Sequence, residues 1–529
     1  MHNKLEKDIN TFAPENQIGG STHPGAYRQP HGSAPRQSGD PLVLPPNTSS
    51  QTFKSYALRV AEIVGTDNVT VISDEAELSQ ESYLEPSKAH DMFNIADKTY
   101  FVCSAVVAPG GVGEVQELMK LANEFEIPVW PFSIGRNVGY GGAAPRVPGS
   151  VCLDMGRHMN RVLKVDVEGA YALVEPGVTF FDLHDHLVKN NLRDQLVRTG
   201  MGALPNPKAD TSKPLHEQDP SESWQLFNYG FGPYNDGIFS QGSVGIVVKM
   251  GIWLMKATGY QSYLITLPKD SDLHQAVEVI RPLQVNMVLQ NVPTLRHILL
   301  DAAVMGHRTE YSKSDKPLTD DELDVIAAKL DLGRWNFYGA LYGPEPVRKV
   351  MWQAVKGAFS AIPGAKFFFA EDQPNNIVLQ TRQDTLQGIP SVTELNWVDW
   401  LLNGGHLFFS PIAPVTGDDA EAQYKITRQL SEKYGFDFIG TFVVGMREMH
   451  HIMMKEMIEE AAAKGYGEYR THLAMMDQIA ATYSFNNNDN MKLNEIIKDA
   501  LDPKGILAPG KNGIWPKNYR AVDWQVPIT

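Results

Sequence analysis

The sequence predicts an α+β protein of two domains, and three observations carry that prediction. With 529 residues the chain is too long for one ordinary core. A β-rich run, an amphipathic stretch and a second β-rich run succeed one another over residues 99–132. An alternating hairpin pattern with a helix start behind it then occupies 162–192.

In chain order, residues 1–50 are rich in Pro, Gly, Ser, His and Asn and lack an apolar period, which predicts a disordered tail. Packing is expected to begin near "FKSYALRVAEIVG" (53–65), with Leu58, Ala61 and Val64 at helical spacing. "TYFVCSAVVAP" (99–109) reads as a buried strand. The helix that follows presents Val115, Leu118, Leu121 and Phe125 on one face, and "IPVWPF" (127–132) reads as the next strand. "GGVGEV" (110–115) imitates a dinucleotide fingerprint but lacks its third glycine and its distal acidic residue, so it is read as a helix start.

"SIGRNVGYGGAAPRV" (133–147) follows a strand without opening a helix. Bare backbone of this kind serves either as an anion nest or as a tight turn. "VLKVDVEGAYALVEP" (162–176) predicts a hairpin, and Thr179 with Asp182 predicts a capping pair.

Composition excludes several functions. A net charge of −15 argues against nucleic acid as a partner. No apolar run is long enough to span a bilayer and no signal-like segment opens the chain. Two cysteines, Cys103 and Cys152, provide neither a disulfide framework nor a thiolate metal site. The expected setting is intracellular, cytoplasmic or peroxisomal. His450 and His451 are adjacent, which is poor spacing for one ion, and no metal is expected.

With "LDMGRHMNRVLKVDVEGAYALVEPGVT" behind it, the loop resembles the FAD-binding domain of the vanillyl-alcohol oxidase family of phenol-oxidising flavoenzymes. Further blocks agree, among them "GFGPYNDGIFSQGSVGIVVKMGIWLM" (230–255), "NGGHLFFSPIAPVTG" (403–417), "GEYRTHLAMMDQ" (467–478) and "GILAPGKNGIWP" (505–516). The resemblance implies an FAD-binding domain built from both chain ends (51–255 and 467–529) and an α/β cap domain (256–466). It implies oxidation of para-substituted phenols by hydride transfer to flavin N5, through a quinone methide, with reoxidation by O2 to hydrogen peroxide. It also implies a homo-oligomer, a dimer or larger.

Residue by residue, the resemblance assigns Pro131, Ser133, Ile134, Gly135, Arg136, Asn137, Gly245 and Ile246 to FAD. His406 matches the histidine bonded covalently to the flavin, Lys511 lies near the ring, and Glu394, Phe408 and Glu468 border the substrate. Tyr140, Tyr469 and Arg470 match the phenolate clamp. That trio suits the chemistry, because a phenol of pKa about 10 is held as an anion only by positive charge and donors at its oxygen. Neighbours in a regular strand face opposite ways, so a bulge or strand end is expected at 469–470, helped by Gly465 and Gly467.

Three departures accompany the resemblance. The family's second flavin-site histidine aligns near Phe93, with His90 a few positions away. The glycine-rich stretch that carries an aspartate beside N5 is missing where Leu196 meets Val197, and a cap strand is missing near 452/453. Either exons were trimmed from the gene model, or the chain is a paralogue with weakened or lost catalysis. An enzyme passing electrons to a protein acceptor is the remaining alternative to an oxidase.

Overall fold

The computed structural model describes residues 40–73, 101–135, 140–197, 213, 236–239, 243–256, 259–292, 294–401, 408–442, 446–447, 451–468 and 470–522. The chain divides into two compact units, one formed by Met1–Met255 with His472–Thr529, the other by Lys256–Thr471.

The first unit opens with α1 (Ser50–Val64), started by the Ser49 hydroxyl, which accepts from the Thr52 amide. Its buried face is Phe53, Tyr56, Val60 and Val64, whereas Leu58 is 69% exposed. The face expected from the sequence is therefore right only at Val64: two aromatic rings bury more apolar area than Leu58 and Ala61, and they decide the helix's rotation. The end of the expected tail also packs. Leu44 and Asp40 are buried, and Asp40 accepts from the Ser50 hydroxyl at 2.5 Å.

Next come β1 (Val69–Val71), β2 (Ala105–Val107), α2 (Val112–Phe125), β3 (Val129–Phe132) and β4 (Val151–Asp154). They form a sheet of order β1-β2-β4-β3, in which β2 and β3 both run parallel to β4. The stretch read as strand–helix–strand is thus a parallel crossover with β4 inserted between its strands. Gly111 caps α2, as expected of a helix start, and Val115, Leu118, Leu121 and Ala122 are its buried residues. Phe125 is half-buried, edge-on to Tyr56 at 5.6 Å.

The predicted hairpin is β5 (Val162–Asp166) paired antiparallel with β6 (Tyr171–Val174). Thr179 and Asp182 form a reciprocal capping box on α3 (Phe180–Lys189). With β7 (Gln195–Val197) and β8 (Met250–Lys256), the second sheet has the order β5-β6-β8-β7.

The second unit is built on β9 (Tyr260–Leu267), β10 (Thr294–His297), β11 (Trp335–Tyr342), β12 (Lys366–Phe369) and, later in the chain, Thr441–Phe442. Their order is β12-β9-β11-β10 followed by that last pair, all antiparallel. Strand periodicity sends Tyr263, Ile265, Leu267, Trp335, Phe337 and Leu341 into one core. Leu264 and Tyr338 enter a second core, with Ile298, Leu299 and Val378 from helices on the other face. Each such side chain contributes about 1.5–3 kcal/mol on burial.

Short ladders follow: Phe408–Phe409 pairs with Met446–Arg447, and Pro411–Ile412 pairs with Gly467–Glu468. The helix expected over 453–465 is present as His451–Ala463. The domain boundary expected at 466/467 lies instead at Thr471/His472, because Gly467–Glu468 is a strand of the second unit. Among the described residues, no helix is long and apolar enough to cross a membrane.

Candidate functional site

In the first unit, β3 delivers the chain into the glycine loop. Gly135, Gly141 and Gly142 have φ of 65°, 94° and 56°, a region that favours glycine. Close approach adds to this. A Cβ on Gly156 would lie 2.1 Å from the Ser133 carbonyl oxygen, and one on Gly177 would lie 2.5 Å from the Gly156 Cα. The glycines of "LDMGRH" and "EPGVT" are thus explained by backbone stacked on backbone behind the loop.

Pro131 lies in β3, Ser133 and Ile134 are exposed at its end, and Gly135 is buried. Tyr140 is half-buried; Arg136 and Asn137 lie outside the described residues. Gly245 and Ile246 are half-buried on the approach to β8.

Lys511 places its amine 5.1 Å from the centre of the Trp130 ring on β3. Part of the residue stays open, yet burial of the amine pushes its pKa down to about 8. Among the described residues no carboxylate pairs with it. A shielded cation without a protein counter-charge beside a glycine-lined turn suits an anionic group.

In the second unit, Glu394 lies in a short 3₁₀ segment and is already engaged, 2.9 Å from Arg296 and 2.7 Å from Arg382. Arg296 also pairs with Asp301 at 2.6 Å, and Asp301 accepts from the Tyr338 hydroxyl at 3.1 Å. Burial raises the Asp301 pKa to about 6, against the pull of Arg296. Arg296, Asp301, Tyr338 and Arg382 were not singled out in the sequence. The only signal is a charge pair inside the apolar run "TLRHILLDAA".

Glu468 is buried, and both its oxygens accept from the Ser410 amide, at 2.6 and 2.8 Å. Burial raises its pKa to about 8, so at neutral pH it holds its proton. The strand ends at Glu468, and Arg470 is exposed outside regular structure, as a strand end there requires. Phe408 lies in a strand opposite Arg447. His406 and Tyr469, with His90 and Phe93, lie outside the described residues. Among the described residues, no group of His, Cys, Asp and Glu is arranged to hold a metal.

Residues 103–202 match the FAD binding domain family, and residues 341–512 match the C-terminal domain of FAD linked oxidases. The chain is therefore an enzyme of the FAD-linked oxidoreductase class, with FAD as its cofactor. The solved 4-ethylphenol oxidase from Gulosibacter chungangensis is 31% identical, with a TM-score of 0.81, over 90% of this chain and 99% of that one. On that likeness the chain belongs to the p-cresol methylhydroxylase-type family of FAD-binding oxidases.

The structure of p-cresol methylhydroxylase is 27% identical with a TM-score of 0.80, covering 89% of this chain and 99% of that chain. The 4-cresol dehydrogenase (hydroxylating) flavoprotein subunit of Pseudomonas putida is 29% identical over 523 positions, 89% of this chain and 98% of that protein. Since 89% of 529 residues cannot fill 523 positions, parts of that relative stand opposite no residue of this chain.

The residues present fit FAD. The glycine loop, with Gly135, Gly141 and Gly142 at positive φ, and the Lys511 ammonium, which pairs with no carboxylate among the described residues, suit a diphosphate-bearing, anionic cofactor.

Proposed function

We propose that the enzyme oxidises para-substituted phenols, 4-hydroxybenzyl alcohols and 4-alkyl- or 4-allylphenols, as a vanillyl-alcohol-oxidase-like member of its family. The observation that carries this reading is the full-length likeness to 4-ethylphenol oxidase. FAD, when bound, would supply the acceptor for a hydride from the benzylic carbon of the para substituent, the phenolate becoming a quinone methide, and would pass the two electrons to O2 to give hydrogen peroxide.

The chain's own residues have defined tasks. Tyr140, Tyr469 and Arg470 hold the phenolate: the guanidinium supplies charge and the two hydroxyls supply directed donors. The strand's end at Glu468 supports this, because Tyr469 and Arg470 then escape strict strand alternation. Pro131, Ser133, Ile134, Gly135, Arg136, Asn137, Gly245 and Ile246 hold FAD, with Lys511 as counter-charge and His406 as the covalent attachment. Phe408, Glu394 and Glu468 border the substrate. Glu394 acts there through Arg296 and Arg382, which already occupy its carboxylate.

A second reading has its own support. Similarity to a dehydrogenase flavoprotein subunit favours electron transfer to a protein acceptor instead of O2. Unfilled alignment positions favour impaired turnover, with missing segments near 196/197 and 452/453.

The test is oxygen uptake by the purified protein with 4-ethylphenol and vanillyl alcohol, beside anaerobic dye reduction with the same phenols. Oxygen uptake that yields peroxide is expected. Dye reduction without oxygen uptake transfers the assignment to the dehydrogenase, and neither activity in a flavin-loaded protein removes the phenol reading. Flavin that stays with the acid-precipitated pellet is the expected sign of the His406 link.

A further inference from the structure

The helix Phe485–Leu501 in the first unit carries a lysine with no exposed surface, Lys498. Its ammonium donates to the Ser243 carbonyl at 2.5 Å, to Asp502 Oδ2 at 2.7 Å and to the Leu507 carbonyl. Three acceptors satisfy all three of its donors. Asp502 accepts in turn from the amides of Ile506 at 2.9 Å and Leu507 at 2.8 Å. The same segment docks on β3: the Val129 amide donates to the Ile506 carbonyl, and the Ala508 amide donates to the Val129 carbonyl, both at 2.8 Å.

A buried charge is an expensive way to fill this space. Desolvation costs several kcal/mol per ion, and a methionine of similar length would pack without it. Burial lowers the lysine's pKa, against the attraction of Asp502. What the ammonium does, and an apolar chain cannot, is bind two backbone carbonyls and a carboxylate from separate stretches at once. Those stretches are 243–246, the turn at 502–508 that leads to Lys511, and through Val129 the strand that enters the glycine loop.

We propose that Lys498 is a positioning residue for the FAD site. Without touching the cofactor, it fixes the spacing between the segment holding Gly245 and Ile246, the segment holding Lys511, and the glycine loop. The proposal rests on the assignment of those residues to FAD and is independent of the substrate.

The experiment titrates His406→Ala apoprotein, in which no covalent link traps the flavin and which serves as the parent, with FAD and follows quenching of flavin fluorescence, with visible circular dichroism of the bound flavin as a second readout. Lys498→Met is expected to raise the FAD Kd about tenfold or more and to alter the flavin dichroism, with far-ultraviolet dichroism like that of the parent. Lys498→Arg, which keeps charge and donors, recovers part of the affinity. A folded Lys498→Met protein with a lowered melting temperature but parental Kd and flavin dichroism would show a role in stability alone and overturn the proposal. Should Lys498→Met not fold, Asp502→Asn decides: a weakened Kd supports the proposal, and a Kd within experimental error of the parent overturns it. A parent protein that takes up no FAD removes the proposal together with the cofactor assignment it stands on.

Discussion

The Lys498 clasp in the first unit and the Arg296 cluster in the second both bury charge, but they spend it differently. Lys498 is directed mainly at backbone carbonyls and holds the chain's path in place. Arg296 is directed at side chains, Asp301 and Glu394 with the Tyr338 ring beneath it, and Arg382 shares Glu394. A backbone-directed arrangement demands particular residues, because the chain itself must come close. A side-chain-directed one demands only that charges balance, and it tolerates replacement as a set.

The largest expected effect breaks the backbone-defined region. Gly156→Ala sets a methyl group 2.1 Å from the Ser133 carbonyl and should destabilise the first unit by more than about 4 kcal/mol, with loss of FAD uptake. Urea unfolding and FAD titration check this, and near-parental stability would mean the stacking behind the loop can relax. Next, Arg296→Met strips the buried Asp301 of its ion-pair partner while Glu394 keeps Arg382, at a cost of about 3–5 kcal/mol. Replacing Arg296, Asp301, Glu394 and Arg382 together by apolar residues of similar volume should recover most of that loss. If the combined variant is worse than the single one, the cluster is not a balanced set.

A pH series sharpens the comparison further. Glu468 is pushed up to about 8 by burial, whereas a carboxyl in the unfolded chain titrates near its ordinary value. Between those values the native protein binds a proton that the unfolded chain has released. Stability therefore falls as pH rises from about 5 to 8, by up to about 1.4 kcal/mol per unit, and Glu468→Gln should flatten that slope. Equal slopes for parent and variant in urea unfolding would count against a buried neutral Glu468. The smallest effect has the opposite sign to the first. Gly357 lies in the helix Glu345–Phe359 with open space where a Cβ would go, so Gly357→Ala should stabilise by about 0.5–1 kcal/mol. Two glycine-to-alanine changes of opposite sign separate a glycine needed for close approach from one that is merely tolerated.

This contrast also explains what could be read in advance. Local chemistry was legible: the hairpin at 162–174, the Thr179–Asp182 capping box and the helix start at Gly111 follow from residues a few positions apart. The rotation of α1 was misread because Leu58, Ala61 and Val64 and the true set Phe53, Tyr56, Val60 and Val64 share the same period, and only packing chooses between them. The sheet of the second unit was hidden because β9 and β11 are covered on both faces, so their sequences show no polar alternation. At the candidate site, the glycines announced a backbone task. The roles proposed for Tyr140, Arg470 and Lys511 rest on family resemblance, since a tyrosine or a charge in a loop looks the same whether it works or is merely solvated. Lys498 gave no signal, because "NEIIKDALDP" reads as an ordinary amphipathic helix with a surface lysine.

The first unit draws on both ends of the chain, and that sets an order of events during synthesis. Lys256–Thr471 is contiguous and leaves the ribosome complete, free to fold as it emerges. The parallel sheet around β3 is translated earlier but waits for residues 498–508, made only after the whole second unit, before Val129 gains these partners. Until then the β3 edge has unpaired amides and carbonyls, a surface that invites wrong pairing. A stop codon shortly before Lys498 would therefore spare most of the chain's mass and remove the piece that closes its oldest part.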